Sequence, residues 1–141
     1  MKFEGQVSLN ASAQKIWSLV SNPEQVASCF PGLKEMNKVS ENEYRITGTT
    51  GIGFIKGEYK ATVKLNIVEP MKEVNLISTG TGLNSNVNIN ADIQIADNLI
   101  KYSVDIKPSG VIASIGARLI DTAFERIIKD LIECFKTKAE A

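Results

Sequence analysis

Apolar and polar side chains alternate along Ile55-Lys-Gly-Glu-Tyr-Lys-Ala-Thr-Val-Lys-Leu-Asn-Ile67. A period of two is that of a β-strand with one buried and one solvated face. Strands of this kind are typical of antiparallel sheets that cover a core on one side only. The stretch therefore predicts a long amphipathic strand whose inward side chains are Ile55, Tyr59, Ala61, Val63, Leu65 and Ile67.

The same alternation continues on both sides of this strand, divided by polar turn residues. A first strand is predicted around Phe3, Val7 and Leu9. Five more are predicted at Lys34–Val39, Tyr44–Thr50, Glu73–Thr81, Val87–Ile95 and Ile100–Ile106. The chain therefore has seven predicted strands, each with one solvated face.

Helical spacing appears before and after this run of strands. Two short helices are predicted after the first strand, at Ala13–Val20 and from Pro23 to about Cys29. Apolar residues three and four apart then run from Ile112 to Phe135, which predicts one C-terminal helix of about 25 residues. The side chains predicted to face the sheet from this helix are Ile115, Leu119, Phe124 and Ile128.

These elements predict an α+β fold, a seven-stranded antiparallel sheet wrapped around the long C-terminal helix. The 141 residues fit a single domain, residues 1–141. Sheet twist makes sheet and helix diverge at one end, so a cavity between them is expected.

The composition excludes several function classes. Lys plus Arg and Asp plus Glu each number 16, so the net charge is zero and nucleic acid is not an expected partner. The chain has no histidine, which excludes hydrolysis by a histidine triad. The carboxylates fall on solvated strand faces, where acid or base catalysis is rare. We therefore expect no enzymatic activity and no cofactor.

The two cysteines, Cys29 and Cys134, lie far apart and form no Cys-x-x-Cys pair. The sequence predicts two reduced, partly buried thiols, and no zinc site, because four ligands cannot be gathered from two separate thiols without histidine. No apolar run has the length of a membrane span or a signal peptide. A cytoplasmic location is the resulting expectation.

Four segments together resemble one protein family. Asn10–Trp17 is similar to the opening of the superfamily that includes START lipid-transfer domains and the birch-pollen-allergen fold. Cys29–Gly32, Gly51–Tyr59 and Ser114–Asp121 resemble its CoxG-like branch, a family of carbon monoxide dehydrogenase subunits. The resemblance covers the whole chain and implies a helix-grip fold with an apolar tunnel.

The resemblance also implies partners. Members of this family accompany molybdenum-containing dehydrogenases, and are implicated in tying the enzyme to the membrane and in handling hydrophobic quinones. Many carry a C-terminal membrane anchor, whereas this chain ends at Ala141, so peripheral contact with the inner face of the membrane is the expectation. Asn84–Asn90 replaces a run usually richer in glycine, so the cavity rim is expected to differ there.

Three hypotheses for function follow. The first is a non-enzymatic accessory protein that binds a quinone, isoprenoid or lipid in the cavity. The second is a module without a ligand that docks a dehydrogenase, and the third is a small hydrolase or cyclase of the superfamily. The candidate cavity residues are Phe30, Phe54, Ile55, Tyr59, Leu76, Tyr102, Ile112, Ile115, Gly116 and Leu119.

Within this set, several roles stay open. The hydroxyls of Tyr59 and Tyr102 need a backbone carbonyl or a ligand as partner. Gly116, taken as a helix residue, allows close packing on the sheet or passage of a ligand. The hairpin Gly51–Gly57 is an ordinary turn or, together with Ile115 and Gly116, a lip of the cavity mouth. In the second case Phe54→Ser speeds ligand release, and Gly116→Leu blocks entry with little loss of stability.

Overall fold

A computed structural model describes residues 1–52 and 55–141. Phe54, one of the predicted cavity residues, lies outside the described residues. The strands are β1 Lys2–Ser8, β2 Leu33–Ser40, β3 Glu43–Ile52, β4 Ile55–Glu69, β5 Glu73–Gly82, β6 Ser85–Ala96 and β7 Leu99–Gly110. The helices are α1 Ala13–Val20, α2 Pro23–Ala27 and α3 Ala117–Glu140, with a 3₁₀ turn at Val111–Ser114.

The seven strands form one antiparallel sheet in the order β1-β7-β6-β5-β4-β3-β2. This confirms the predicted fold class, and the strand boundaries differ from the predicted ones mainly by extension at the ends. The turn between β5 and β6 places Leu83 and Asn84 at positive φ, the conformation that a two-residue hairpin of type I′ requires.

The core lies between the inner face of the sheet and α3. Alternate strand residues such as Val63, Leu76 and Ile93 meet Phe124 and Phe135 of the helix, and all five are buried. Ile67 was predicted to face inward, but its side chain is 59% exposed. Ile67 lies beside a register shift between Ile67 and Glu69 near the end of β4, where a bulge interrupts the regular packing of a strand.

The C-terminal helix begins at Ala117, five residues later than predicted, and the preceding residues form a separate 3₁₀ turn. Gly110 and Gly116 flank this turn with φ of 85° and 109°. Only glycine adopts such values readily, and they are incompatible with a continuous right-handed helix. The apolar spacing hides this break because a 3₁₀ turn and an α-helix repeat at nearly the same interval.

The buried face of α3 is formed by Ile120, Phe124, Ile132, Phe135 and Ala139. Phe124 faces the sheet as predicted, and Ile115 and Ile128 are half-buried. The prediction for Leu119 was wrong, because its side chain is 44% exposed and the neighbouring Ile120 turns inward instead. None of the helices described combines the length and hydropathy that crossing a bilayer requires.

Cys29 and Cys134 form a disulfide, so the prediction of two reduced thiols was wrong. The end of α2 meets the C-terminal half of α3, which brings the two Cα atoms to 5.8 Å, within the range that a disulfide spans. Lys138, one helical turn after Cys134, donates to Gln25 Oε1 at 2.9 Å and to Ser28 Oγ. The segment before Phe30 is therefore fixed to α3 by one covalent bond and a set of hydrogen bonds.

Candidate functional site

Two small chambers adjoin each other between the sheet and α3. The first has a volume of about 90 Å³ and lies where β3 and β5 end and β6 begins. Its lining combines aliphatic and aromatic side chains with a few uncharged polar ones. The residues are Phe30, Pro31, Thr50, Ile52, Tyr59, Ala61, Ser78, Gly80, Thr81, Gly82, Leu83, Ser85, Val87, Ile89, Ile112, Phe124 and Ile127.

The second chamber has a volume of about 60 Å³ and lies further along the helix. Phe30, Pro31, Ile89, Phe124 and Ile127 line both chambers and form the boundary between them. The remaining lining of the second chamber is entirely apolar except for the Tyr102 hydroxyl. It consists of Leu76, Ala91, Ile93, Tyr102, Val104, Ile106, Ile128, Leu131 and Ile132.

Five of the ten predicted residues line these chambers. Phe30, Tyr59 and Ile112 line the first, and Phe30, Leu76 and Tyr102 the second. Four others lie outside both linings, of which Ile55 and Ile115 are half-buried and Gly116 and Leu119 are exposed. Ser78 and Ser85 also line the first chamber and were not among the predicted residues, although a serine at an inward position of a strand is a visible signal.

The Tyr59 side chain is fixed by a hydrogen bond to the backbone. Its hydroxyl donates to the Pro31 carbonyl oxygen at 2.5 Å, so the backbone carbonyl is the partner. Gly48 on β3 makes room for the ring, since a Cβ there would lie 2.8 Å from Tyr59 Oη. Burial raises the pKa of Tyr59 to about 12. At neutral pH this phenol is therefore a fixed, uncharged part of the wall.

The raised pKa of Tyr59 gives a test at alkaline pH. The unfolded phenol loses its proton near pH 10, the folded one only near pH 12, so the stabilisation is complete below about pH 10 and lost as pH rises towards 12. The free energy of unfolding, measured in urea, is expected to fall more steeply over this window in the wild type than in Tyr59→Phe. Equal slopes for the wild type and Tyr59→Phe would contradict the burial of this hydroxyl.

Tyr102 forms a wall between the second chamber and an outer groove along β1. Its ring end lies over Gly5, where a Cβ would collide with the phenolic oxygen. No hydrogen bond of the Tyr102 hydroxyl to another residue of 1–52 and 55–141 is found, so no backbone carbonyl among these residues is its partner.

The 3₁₀ turn covers the first chamber. Ile112 is buried beneath it and its backbone N–H donates to Ser85 Oγ at 2.9 Å, while the Val111 N–H donates to the Asn84 carbonyl oxygen at 3.1 Å. A Cβ on Gly116 would meet nothing within 4 Å, so close packing on the sheet, one of the two predicted roles, is wrong. The reason for a glycine here is its φ of 109°, which other residues rarely adopt. Gly116→Leu would strain the backbone, contrary to the expected small loss of stability.

The chemistry available in these chambers is limited. Among the residues that the structure describes, none with a charged side chain belongs to either lining. Within residues 1–52 and 55–141, no group of three or more Asp, Glu or Cys side chains is placed to share a metal ion. In the disulfide, moreover, neither sulfur is a thiolate that can bind zinc. The arrangement is one for holding an apolar group out of water.

Comparisons with known proteins identify both family and fold. The sequence profile of the CoxG family of carbon monoxide dehydrogenase subunits matches residues 5–140, whereas no curated protein matches the chain. A conserved protein from Geobacillus kaustophilus superposes with a TM-score of 0.88 at 22% identity, covering 99% of this chain and 95% of that one.

More distant structures share the same architecture. A START superfamily protein from Mycobacterium smegmatis has a TM-score of 0.71 at 13% identity, covering 99% of this chain and 97% of that one. The Zhui aromatase/cyclase from Streptomyces sp. R1128 has a TM-score of 0.66 at 12% identity, with coverage of 99% and 93%. At these identities the similarity shows a START-like fold and nothing about activity.

Proposed function

The chain belongs to the CoxG family of carbon monoxide dehydrogenase subunits, and from this we propose that it is a non-enzymatic accessory protein of a molybdenum-containing dehydrogenase, with a hydrophobic ligand bound in its apolar chambers. The ligand classes are a quinone, an isoprenoid or another lipid. The observation that carries the proposal is the pair of adjoining chambers with no charged lining residue. Apolar groups gain free energy by leaving water for such a site.

The volumes limit what is held inside. Chambers of about 90 and 60 Å³ are small beside the roughly 300–1,000 Å³ of sites that enclose a drug-sized ligand. A cavity of about 150 Å³ accommodates one benzene ring. Neither chamber alone has this volume, so a ring enters only when the side chains at the boundary, among them Phe124, move aside and the two chambers become one.

The lining supports a carrier over a hydrolase or cyclase. Within the described part of the chain, the only titratable side chains of the lining are Tyr59 and Tyr102. Tyr59 is bound to a backbone carbonyl and has its pKa raised to about 12, far from the operating pH that general acid–base catalysis favours.

The end of the sheet at the first chamber supports exchange with an anionic membrane surface. Residues 50–52, 55–60, 80–88 and 107–120 form this end and contain four cations, Lys56, Lys60, Lys107 and Arg118, and one acid, Glu58, which pairs with Lys34 at 2.6 Å. Val111 and Leu119 add large exposed apolar side chains there. Basic side chains around an apolar patch are the pattern of peripheral membrane contact.

A second candidate is the docking module without a ligand, which the small chamber volumes favour. The two functions differ in whether the protein, once freed of bound lipid by organic extraction, takes up a ligand. The probe is a quinone with a single isoprene unit, offered in anionic or neutral phospholipid vesicles. Native mass spectrometry of the separated protein measures the uptake.

We expect one quinone per chain, taken up faster from the anionic vesicles. Ala61→Leu fills the first chamber and should abolish uptake, whereas Ala96→Leu, at an exposed site on β6, is the matched control. Absence of uptake by the wild type from both vesicle types would contradict the carrier and leave the docking module. Equal rates from the two vesicle types would contradict the membrane contact alone.

A further inference from the structure

Ser78 is a polar residue at a position that the strand pattern reserves for apolar ones. It follows Val74 and Leu76 on the inward face of β5 and is 1% exposed. Its cross-strand neighbours are Val63 on β4 and Ile89 on β6. Neither neighbour has a polar side chain to bind the hydroxyl, although buried hydroxyl groups nearly always have a partner.

Ser85, in the same chamber, differs from Ser78 in its hydrogen bonds. The Ser85 hydroxyl donates to the Leu83 carbonyl oxygen at 3.0 Å and accepts from the Ile112 N–H at 2.9 Å. The Ser78 hydroxyl makes no such side-chain bond within residues 1–52 and 55–141, and it lines the first chamber. Its hydroxyl is therefore available to a group inside the chamber.

The absence of charge in both linings restricts the partner further. An ionised carboxylate inside would be buried without a cation, which is strongly unfavourable. A neutral oxygen has no such penalty, and a serine hydroxyl is a suitable donor to it. The nearby cations Lys34 and Lys60 line an outer groove, which Tyr59 separates from the chamber.

We propose that the Ser78 hydroxyl donates a hydrogen bond to a carbonyl oxygen of the bound ligand, and that the chambers select an uncharged, ring-sized carbonyl compound over a carboxylate. This inference rests on the proposed function, since it requires that the chambers hold a ligand. It adds the residue that recognises the ligand and the charge state that it must have.

Three probes of nearly the same shape separate these requirements. Acetophenone carries a neutral carbonyl, α-methylstyrene replaces that oxygen with a methylene group, and benzoate carries a negative charge. Dissociation constants are measured by NMR titration at neutral pH on the intact, oxidised chain. The variants are Ser78→Ala and, as matched control, Ser103→Ala on the outer face of β7.

The wild type and Ser103→Ala are expected to bind acetophenone about five- to tenfold more tightly than α-methylstyrene, the difference that one neutral hydrogen bond supplies. Ser78→Ala should lose this preference and keep its affinity for α-methylstyrene. Benzoate should bind to none of the three proteins. Thermal unfolding without a probe should show that Ser78→Ala folds, because the hydroxyl has no side-chain hydrogen bond to a described residue that could be lost.

The outcomes separate the role of Ser78 from the carrier function. If all probes bind and Ser78→Ala changes no ratio, the chambers hold ligands but the role of Ser78 is wrong. If benzoate binds as tightly as acetophenone, the selection for an uncharged ligand is wrong. If no probe binds to the wild type, the carrier function and this inference both fail.

Discussion

Replacing Cys29 and Cys134 together with alanine is expected to lower the free energy of unfolding by about 4–5 kcal/mol. The bond joins residues separated by 105 positions, and in the chain-entropy account a loop of about 100 residues is worth about 4.7 kcal/mol. That is a large part of the roughly 5–15 kcal/mol that stabilises a typical domain. Guanidinium denaturation of the oxidised wild type and the double variant measures the loss.

The control for this prediction is the wild type treated with dithiothreitol, which should unfold at the same denaturant concentration as the double variant. Agreement between the two assigns the loss to the bond rather than to the packing of the sulfur atoms. Alkylation with iodoacetamide in denaturant provides a second check, because the untreated chain should gain no mass. If the untreated wild type gains two carbamidomethyl groups, and the double variant is as stable as the wild type, the bond is absent in solution.

The disulfide also bears on where the protein is found. Stable disulfides are rare in the cytosol of mesophiles and frequent in oxidising compartments or in hyperthermophiles. A bond that persists in cells thus implies one of the latter two settings, and the predicted cytoplasmic location stays a prediction. The bond was missed in the sequence because its two cysteines meet only in the tertiary structure, where the residues after α2 reach the C-terminal half of α3.

The fold could be predicted from the local spacing of apolar residues. Alternation at Ile55–Ile67 and helical spacing after Ile112 each indicate which side of an element is buried. The buried sides of the sheet and of the helix then pack against each other. The start of α3 was missed because it depends on the φ angles of Gly110 and Gly116, and apolar spacing contains no information on φ. Leu119 was misplaced because it lies five positions before Phe124, about 140° around an α-helix, whereas Ile120, four positions before Phe124, shares the buried face.

The candidate site was predictable where it repeats the core pattern. Tyr59, Leu76 and Tyr102 line the chambers because they occupy inward strand positions. Ser78 occupies such a position too, but a search for apolar residues passes over it. The chamber volumes were not predictable, since they depend on how closely Phe30 and Phe124 approach, and this is a matter of tertiary packing.

Replacing Phe124 with alanine is expected to cost about 3–5 kcal/mol of stability, the range measured for buried aromatic residues. Its side chain is 3% exposed and lines both chambers. The loss combines the apolar surface no longer buried with the space left behind. Urea denaturation of the oxidised protein measures it, and a loss below about 1 kcal/mol would show that α3 does not present this residue to the sheet.

Phe135→Ala is the matched control, because Phe135 is 1% exposed but lines neither chamber. Both variants should lose similar stability, and only Phe124→Ala should gain binding capacity, since removal of that ring joins the two chambers. Naphthalene, which is larger than one benzene ring, should therefore bind more tightly to Phe124→Ala than to the wild type or to Phe135→Ala. Equal naphthalene binding by the two variants would mean that the wall between the chambers is not Phe124, and that the interior is divided elsewhere.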